Sequence, residues 1–287
     1  MAETVLAVDI GGTKIAAGVV AGDGVIESRA QRHTPTSGDP EEVYAAVVDV
    51  ARSALESARS APQAIGCGCG GPMVASLGQV SPLNIGAWRG FPLAARLEST
   101  FSTPCHLAND AVALAMAEGR WGAARGQANY LAMVISTGVG GGLVVDGRPL
   151  SGRDGNAGHV GHLVVVEDGR PCRCGARGCL EAEASGTAIA ERTGRPAAEA
   201  PLELRVHAGQ LVGRAVAQVV NLLDLPACYV AGSVALGFGA PFFDAAQREL
   251  DERCRIDHGR GATIEVAGLG AEGPLLGAAA VALGFDR

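Results

Sequence analysis

Positive charge is in short supply in this chain. Its 23 Lys and Arg stand against 30 Asp and Glu, for a formal net charge of −7. Without a basic field, nucleic acid and anionic membrane surfaces are poor partners. Charged residues of both signs make up only 18% of the sequence against 48% hydrophobic, which excludes disorder and describes a well-buried globular protein. Long apolar runs are absent too. The longest, residues 274–285 (PLLGAAAVALGF), is short of the ~20 residues a span requires. The opening MAETVLAVDIGG has no basic leader region and its apolar run stops at Asp9, so it does not read as a secretory signal. No Gly/Ser-rich linker or low-complexity tract divides the chain. A cytoplasmic protein with two packed lobes is the expectation, since single cores stop growing near ~250–300 residues.

What is present is more specific. Three of the eight cysteines, Cys172, Cys174 and Cys179, fall within eight residues, with His162 ahead of them. Gly175 and Gly178 allow the tight turns that would aim all three sulfurs at one point. Three thiolates and an imidazole form a closed tetrahedral set of the kind that holds structural Zn²⁺. The alternatives are free thiols or a disulfide, and a reducing compartment argues against the disulfide. The other cysteines (67, 69, 105, 228 and 254) are scattered and read as buried thiols.

Forty-two glycines punctuate the chain and pick out two similar units. In the first, a strand over 5–10 meets the turn Gly11-Gly12-Thr13-Lys14, then a strand over 15–20. Asp23-Gly24 turns into a third strand over 25–29. In the second, a strand over 130–135 meets Ser136-Thr137-Gly138-Val139-Gly140-Gly141-Gly142, then a strand over 143–146 closed by Gly147. Neither turn leads into a helix and neither fits the P-loop pattern, so Walker and Rossmann readings fail. Glycine lets backbone approach an anion, and successive N–H groups make a nest for phosphate. Thr13 and Thr137 add hydroxyls, Lys14 adds charge, and Asp9 could hold Mg²⁺ through water. Either turn alone is ordinary hairpin chemistry; the pair suggests a duplicated fold with a ligand between the halves. Gly232, after the apolar strand 227–231, could lie under an adenine or ribose.

Between the units, Asn109-Asp110 ends a strand over 104–108 and opens a helix over 111–121. Either residue suits a helix N-cap, and Asp110 also suits a general base acting on a sugar hydroxyl. The polar loops around Gly71 and Asn84 could line the same cleft. Trp88, one of two tryptophans, is either a loop anchor or a substrate wall. A helix over 206–223 reads as core or dimer surface, and 193–201 as a surface loop.

Taken together, Asp9–Lys14, Asn109-Asp110, 136–142, Gly161-His162, the 172–181 run and Ala231-Gly232-Ser233 resemble the sugar kinases of the ROK family, nearly end to end. That resemblance implies an α/β fold of two actin-like, ribonuclease-H-like lobes with a central sugar/ATP cleft. It places one lobe at 1–113, with a C-terminal helix at 273–287 packed back on it, and the other at 114–272. It implies Asp110 as catalytic base acting on a 6-hydroxyl, Asn109 and Glu181 as sugar ligands, and His162 shared between zinc and sugar. The loops 11–14 and 137–142 would hold the ATP phosphates, with Mg²⁺, and the protein would be a homodimer. One departure stands out. Many family members have Glu at position 159, near the sugar C1 and C2, where this chain has His159. The Gly-His-x-Gly-His run and the Asn84-Ile85-Gly86 surroundings resemble those of bacterial N-acetylmannosamine kinases. The expected substrate is therefore N-acetylmannosamine ahead of glucose or a broad range of hexoses. Repressors of the family carry an extra N-terminal helix-turn-helix, for which a first strand at residue 4 or 5 leaves no room, so a sugar-sensing regulator is the remote alternative.

Overall fold

The computed structural model describes residues 3–284. Two compact units form. One gathers the chain up to Arg125, a short return at 149–157, and the stretch from 271 onward; the other comprises 126–148 and 158–270. The first unit contains β1 (Thr4–Ile10), β2 (Lys14–Ala21), β3 (Ile26–His33), α1 (Pro40–Glu56) and β4 (Ala64–Cys69). It continues with the small hairpin β5 (Met73–Val74) and β6 (Gln79–Val80), then α2 (Leu93–Phe101), β7 (Cys105–Asn109) and α3 (Asp110–Trp121). The second unit carries β8 (Tyr130–Ile135), β9 (Val139–Val145) and β10 (Arg148–Pro149), the last straddling the division. After these come α4 (Leu180–Ala184), α5 (Gly186–Thr193), α6 (Leu202–Leu223), β11 (Ala227–Ala231), α7 (Ser233–Phe238), α8 (Ala240–Arg253) and β12 (Thr263–Val266). The chain then returns to the first unit as α9 (Gly273–Leu283). Residues 285–287 of the expected terminal helix lie outside the described residues.

The two large sheets repeat one plan. Their strand orders are β3-β2-β1-β4-β7 and β10-β9-β8-β11-β12. In each, a central strand pairs antiparallel with the next strand in sequence and parallel with a later one. Central strands buried on both faces read as continuous apolar runs, as β1 (TVLAVDI) and β11 (ACYVA) do. The duplication expected from the two glycine turns is therefore a duplication of sheet topology.

Helix α1 begins where Asp39 accepts a hydrogen bond from the Glu41 N–H at 2.9 Å, with Pro40 in its first turn. Its Val43, Val47, Val50 and Ala54 are buried and belong to the core of the first unit. Helix α9 packs on β1, β4 and α3, which is why the first unit extends past residue 113 to the end of α3 and beyond. No helix among the described residues is long and apolar enough to cross a membrane.

The packing of α9 is close enough to forbid side chains. A Cβ on Gly66 in β4 would run into the Ala278 carbonyl of α9. Overpacking of this kind costs about 1–3 kcal/mol or more, so Gly66→Ala should lower the thermal midpoint by several degrees. Gly237 in α7 has open space at its Cβ, and Gly237→Ala should leave the midpoint unchanged or raise it slightly. Calorimetry on the two variants checks both.

Candidate functional site

In the first unit the functional side chains collect where β1, β4 and β7 end. Asp9 is the penultimate residue of β1, in register with Ala16 and Gly68. The turn after it is fixed by its own backbone: Gly11 N–H donates to the Lys14 carbonyl at 2.9 Å, and the Thr34 hydroxyl donates to the Gly11 carbonyl at 2.7 Å. Gly12 has no room for a Cβ because Asn84 lies against it, so the Asn84 loop and the glycine turn are in contact. Thr13 and Lys14 are exposed.

Asn109 and Asp110 divide the work that sequence left open between them. Asn109 is the buried N-cap of α3, its Oδ1 accepting from the Ala111 N–H at 3.0 Å. Asp110 is the first helical residue; its Oδ1 accepts from the same N–H at 2.8 Å, and the residue is exposed. Gly70 lies beside it, where a Cβ would come into ordinary contact, 3.9 Å, with Asp110 Oδ2. Gly71 lies in the same loop, its carbonyl accepting from Leu83 N–H at 3.1 Å beside Asn84. Burial, reinforced by the Asp110 carboxylate, pushes the Asp9 carboxyl up to about 7 despite the opposing pull of Lys14. A cation held by Asp9 would relieve that cost. Trp88 is settled as an anchor: fully buried, stacked on Phe91 at 4.4 Å, it donates from Nε1 to the Pro40 carbonyl.

In the second unit the glycine-rich stretch is not all turn. The turn is 136–138, closed by Ser136 N–H on the Gly138 carbonyl at 2.9 Å, and Gly140, Gly141 and Gly142 belong to β9, paired with Val134, Met133 and Ala132. The strand expected from 143 thus begins four residues earlier. These glycines admit another stretch of backbone. A Cβ on Gly141 would strike Val160 Cγ2 at 2.6 Å, and Cβ atoms on Gly158 and Gly161 would run into the Gly141 and Val139 carbonyls. The segment bearing His159 and His162 lies directly on β9. The turn itself is tied to the start of α5, where Gly186 N–H donates to Ser136 and Thr187 to Thr137. Gly232, with φ of +102°, approaches Ile135 closely, and Ser233 Oγ lies 3.1 Å from Ser136 Oγ.

The ligand atoms of His162, Cys172, Cys174 and Cys179 all lie within 4.8 Å of one another. Cys174 Sγ and Cys179 Sγ are 3.7 Å apart and Cys172 Sγ is 3.6 Å from His162 Nδ1. A disulfide needs about 2.05 Å, whereas a tetrahedron with Zn–S near ~2.3 Å has edges of about 3.8 Å. The donor set fits zinc. Gly175 and Gly178 take left-handed conformations at φ +94° and +71°, as the tight turns required. Burial, reinforced by the neighbouring Cys174 and Cys172 thiols, pushes the Cys179 thiol up to about 12, and burial leads the rise at Cys172 as well; a divalent cation is what holds such groups as thiolates. Among the scattered cysteines, 67, 69, 228 and 254 are buried and Cys105 half-buried.

Glu181, in the first turn of α4, does something sequence did not suggest: its Oε2 accepts from the Val139 N–H at 3.0 Å. A second unforeseen residue is Asn156, whose amide bonds both the N–H (2.9 Å) and the carbonyl (2.8 Å) of Met73. It moors the return segment 149–157 to β5, next to Gly71. Its only sequence signal was an amide side chain among glycines.

The raised carboxyl of Asp9 has a measurable sign. A group whose folded pKa exceeds its unfolded one favours the fold at low pH, and that contribution is lost as pH rises through about 7. Without added magnesium, Asp9→Asn should therefore be more stable than the parent, by an amount that widens from pH 5 to pH 8, with an upper bound of about 4 kcal/mol. Urea midpoints at the two pH values check it; a gap that stays constant would contradict the assignment.

The sequence profile of the ROK family matches residues 5–284. The chain is 35% identical over 250 residues to an N-acetylmannosamine kinase from Citrobacter koseri, covering 82% of this chain and 84% of that protein. Among solved structures it is similar to a ROK hexokinase from Thermus thermophilus, with TM-score 0.83, 35% identity and 98% of each chain covered. It is similar also to a ROK family glucokinase from Streptomyces griseus in complex with glucose and AMPPNP, with TM-score 0.86, 30% identity and coverage of 98% and 99%. With β1 to α9 matched and the duplicated sheets in place, the chain belongs to the ROK family, with the two-lobed actin-like fold of its sugar kinases.

Proposed function

We propose that this protein is an ATP-dependent sugar kinase that transfers the γ-phosphoryl group of ATP to the 6-hydroxyl of N-acetylmannosamine. The observation that carries the reading is Asp110: an exposed carboxylate at a strand-to-helix junction, beside the strand end that bears Asp9 and its glycine turn. A sugar sensor needs a carboxylate there only as a hydroxyl acceptor, whereas a kinase needs it as the base.

In this reading Asp110 accepts the proton of the attacking hydroxyl. Asn109 has committed its Oδ1 to the helix cap, so only its amide nitrogen is left to donate to the sugar. His159, His162 and Glu181 complete the sugar ligands, and His162, with Nδ1 turned toward Cys172, keeps Nε2 for a hydroxyl. The N–H groups and hydroxyls of 11–14 and of Thr137 and Gly138 cradle the phosphates, and Gly232 borders the nucleoside. Phosphoryl transfer depends on positioning and charge stabilisation. Mg²⁺, when bound, would neutralise the phosphate oxygens, with Asp9 the residue to hold it through water. Zn²⁺ on His162, Cys172, Cys174 and Cys179 would be structural, pinning the loop that presents His159. The protein acts as a homodimer.

Substrate preference rests on His159. Where a Glu would accept from two sugar hydroxyls, an imidazole can donate to the carbonyl of a 2-acetamido group. Glucose has no such group, and sites built around one reject analogues without it. Glucose is the second reading, favoured by the 30% identity to the Streptomyces griseus glucokinase.

A coupled kinase assay across N-acetylmannosamine, N-acetylglucosamine, glucose, mannose and fructose tests the reading. N-acetylmannosamine should give the highest kcat/KM, and His159→Glu should move activity toward glucose. Asp110→Asn should lower kcat by roughly 10²–10⁴-fold with little change in sugar KM. Highest kcat/KM with glucose would overturn the substrate, and near-normal turnover of Asp110→Asn would return Asp110 to a purely structural place.

A further inference from the structure

We propose that Glu181 is a positioning residue for the phosphate turn as well as a ligand of the sugar, so that one carboxylate couples the two substrate sites. The inference rests on reading 136–138 as a phosphate turn and Glu181 as a sugar ligand. What goes beyond that reading is the link between them.

Three observations carry it. First, Val139 is buried and opens β9 immediately after the turn, and its N–H finds its acceptor in Glu181 Oε2 at 3.0 Å, from a residue 42 positions along the chain. A buried N–H left without an acceptor is costly, so this bond decides how the turn meets its strand. Second, Gly138 has no left-handed φ that would call for glycine. A Cβ there would come 2.7 Å from the same Oε2, so any side chain at 138 would displace the carboxylate from its place. The turn is shaped around the carboxylate. Third, the atoms facing each substrate remain available. Among the described residues Glu181 Oε1 makes no hydrogen bond within the protein, and neither do the N–H groups of Thr137 and Gly138. The carbonyls of Ser136 and Thr137 are already taken by Gly186 and Thr187, and that of Gly138 by Ser136 N–H.

Glu181 is placed by its neighbours. It follows Cys179 by two residues at the start of α4, where Leu180 N–H donates to the Leu163 carbonyl at 2.9 Å, next to His162. A hydroxyl drawing on Oε1 would therefore fix a carboxylate whose other oxygen already holds the turn. A nucleotide that orders the turn would order the carboxylate in return. Such coupling is reciprocal by thermodynamic necessity.

The test uses the full-length, metal-containing protein and two variants. Glu181→Ala removes the acceptor for Val139, whereas Glu181→Gln keeps an amide oxygen that can accept the same N–H. Calorimetry with Mg·AMPPNP in the absence of sugar should show about five- to tenfold weaker binding for the alanine variant, with the glutamine variant within threefold of the parent. Amide exchange at 137–140 should accelerate at least tenfold in the alanine variant and not in the glutamine variant. Nucleotide affinity within twofold of the parent in Glu181→Ala would overturn the proposal, as would Glu181→Gln binding as weakly as Glu181→Ala. If the parent bound no nucleotide, the phosphate reading would fall by itself, and exchange at Val139 would still decide whether Glu181 holds the turn.

Discussion

The second unit depends on one close approach of backbone to backbone. Residues 158–161 lie on β9 so tightly that Gly141, Gly158 and Gly161 have no space for a Cβ. Val160 carries this stretch into the core of the second unit, and a second tether beside it would hold the flanking histidines in place. The cluster of His162 with three cysteines is placed to do so. A metal bound there would fasten the 158–162 segment to the turn at 172–179, whose Gly178 carbonyl accepts from Val165 N–H at 2.8 Å. His159 is presented at the start of a single 3₁₀ turn, Val160–His162, and Glu181 stands at the head of α4, two residues after Cys179. In the proposed reading, precision in the sugar ligands is inherited from the metal set.

The first unit solves the matching problem by different means. Its charged groups sit on strand ends and a helix N-terminus, where the ladder and the Asn109 cap fix them without a metal. The cost appears in Asp9, a buried carboxyl with Asp110 nearby. Groups held in that way destabilise the fold locally and persist where their charge is useful. The repeated sheet order thus supports two unlike ends: a carboxylate-rich one, and one with a donor set that fits a cation.

Much of this was legible in the sequence because the signals were local. Cysteine spacing pointed to the cluster that His162, Cys172, Cys174 and Cys179 form, and apolar runs bounded by Gly and Asp marked β1, β2, β8 and β11 within a residue or so. Asn109 and Asp110 announced a helix start but not which of them caps it. That depended on where β7 stops. The run Gly140-Gly141-Gly142 misled because glycine usually breaks strands; here it clears space for a segment some twenty residues further on. The partners in the Glu181 bond to Val139 and the Asn156 clamp on Met73 could not be read locally, since each joins positions far apart in the chain. The isolated Trp88 could be placed only once the stacked Phe91 and the Pro40 carbonyl were seen around it.

X-ray absorption at the zinc edge of the purified protein bears most directly on the idea that a metal set organises the sugar ligands. One zinc per chain with three sulfur neighbours near ~2.3 Å and one nitrogen near ~2.0 Å is the predicted result. Protein that phosphorylates sugar while holding no zinc, or zinc bound by oxygen and nitrogen alone, would contradict it.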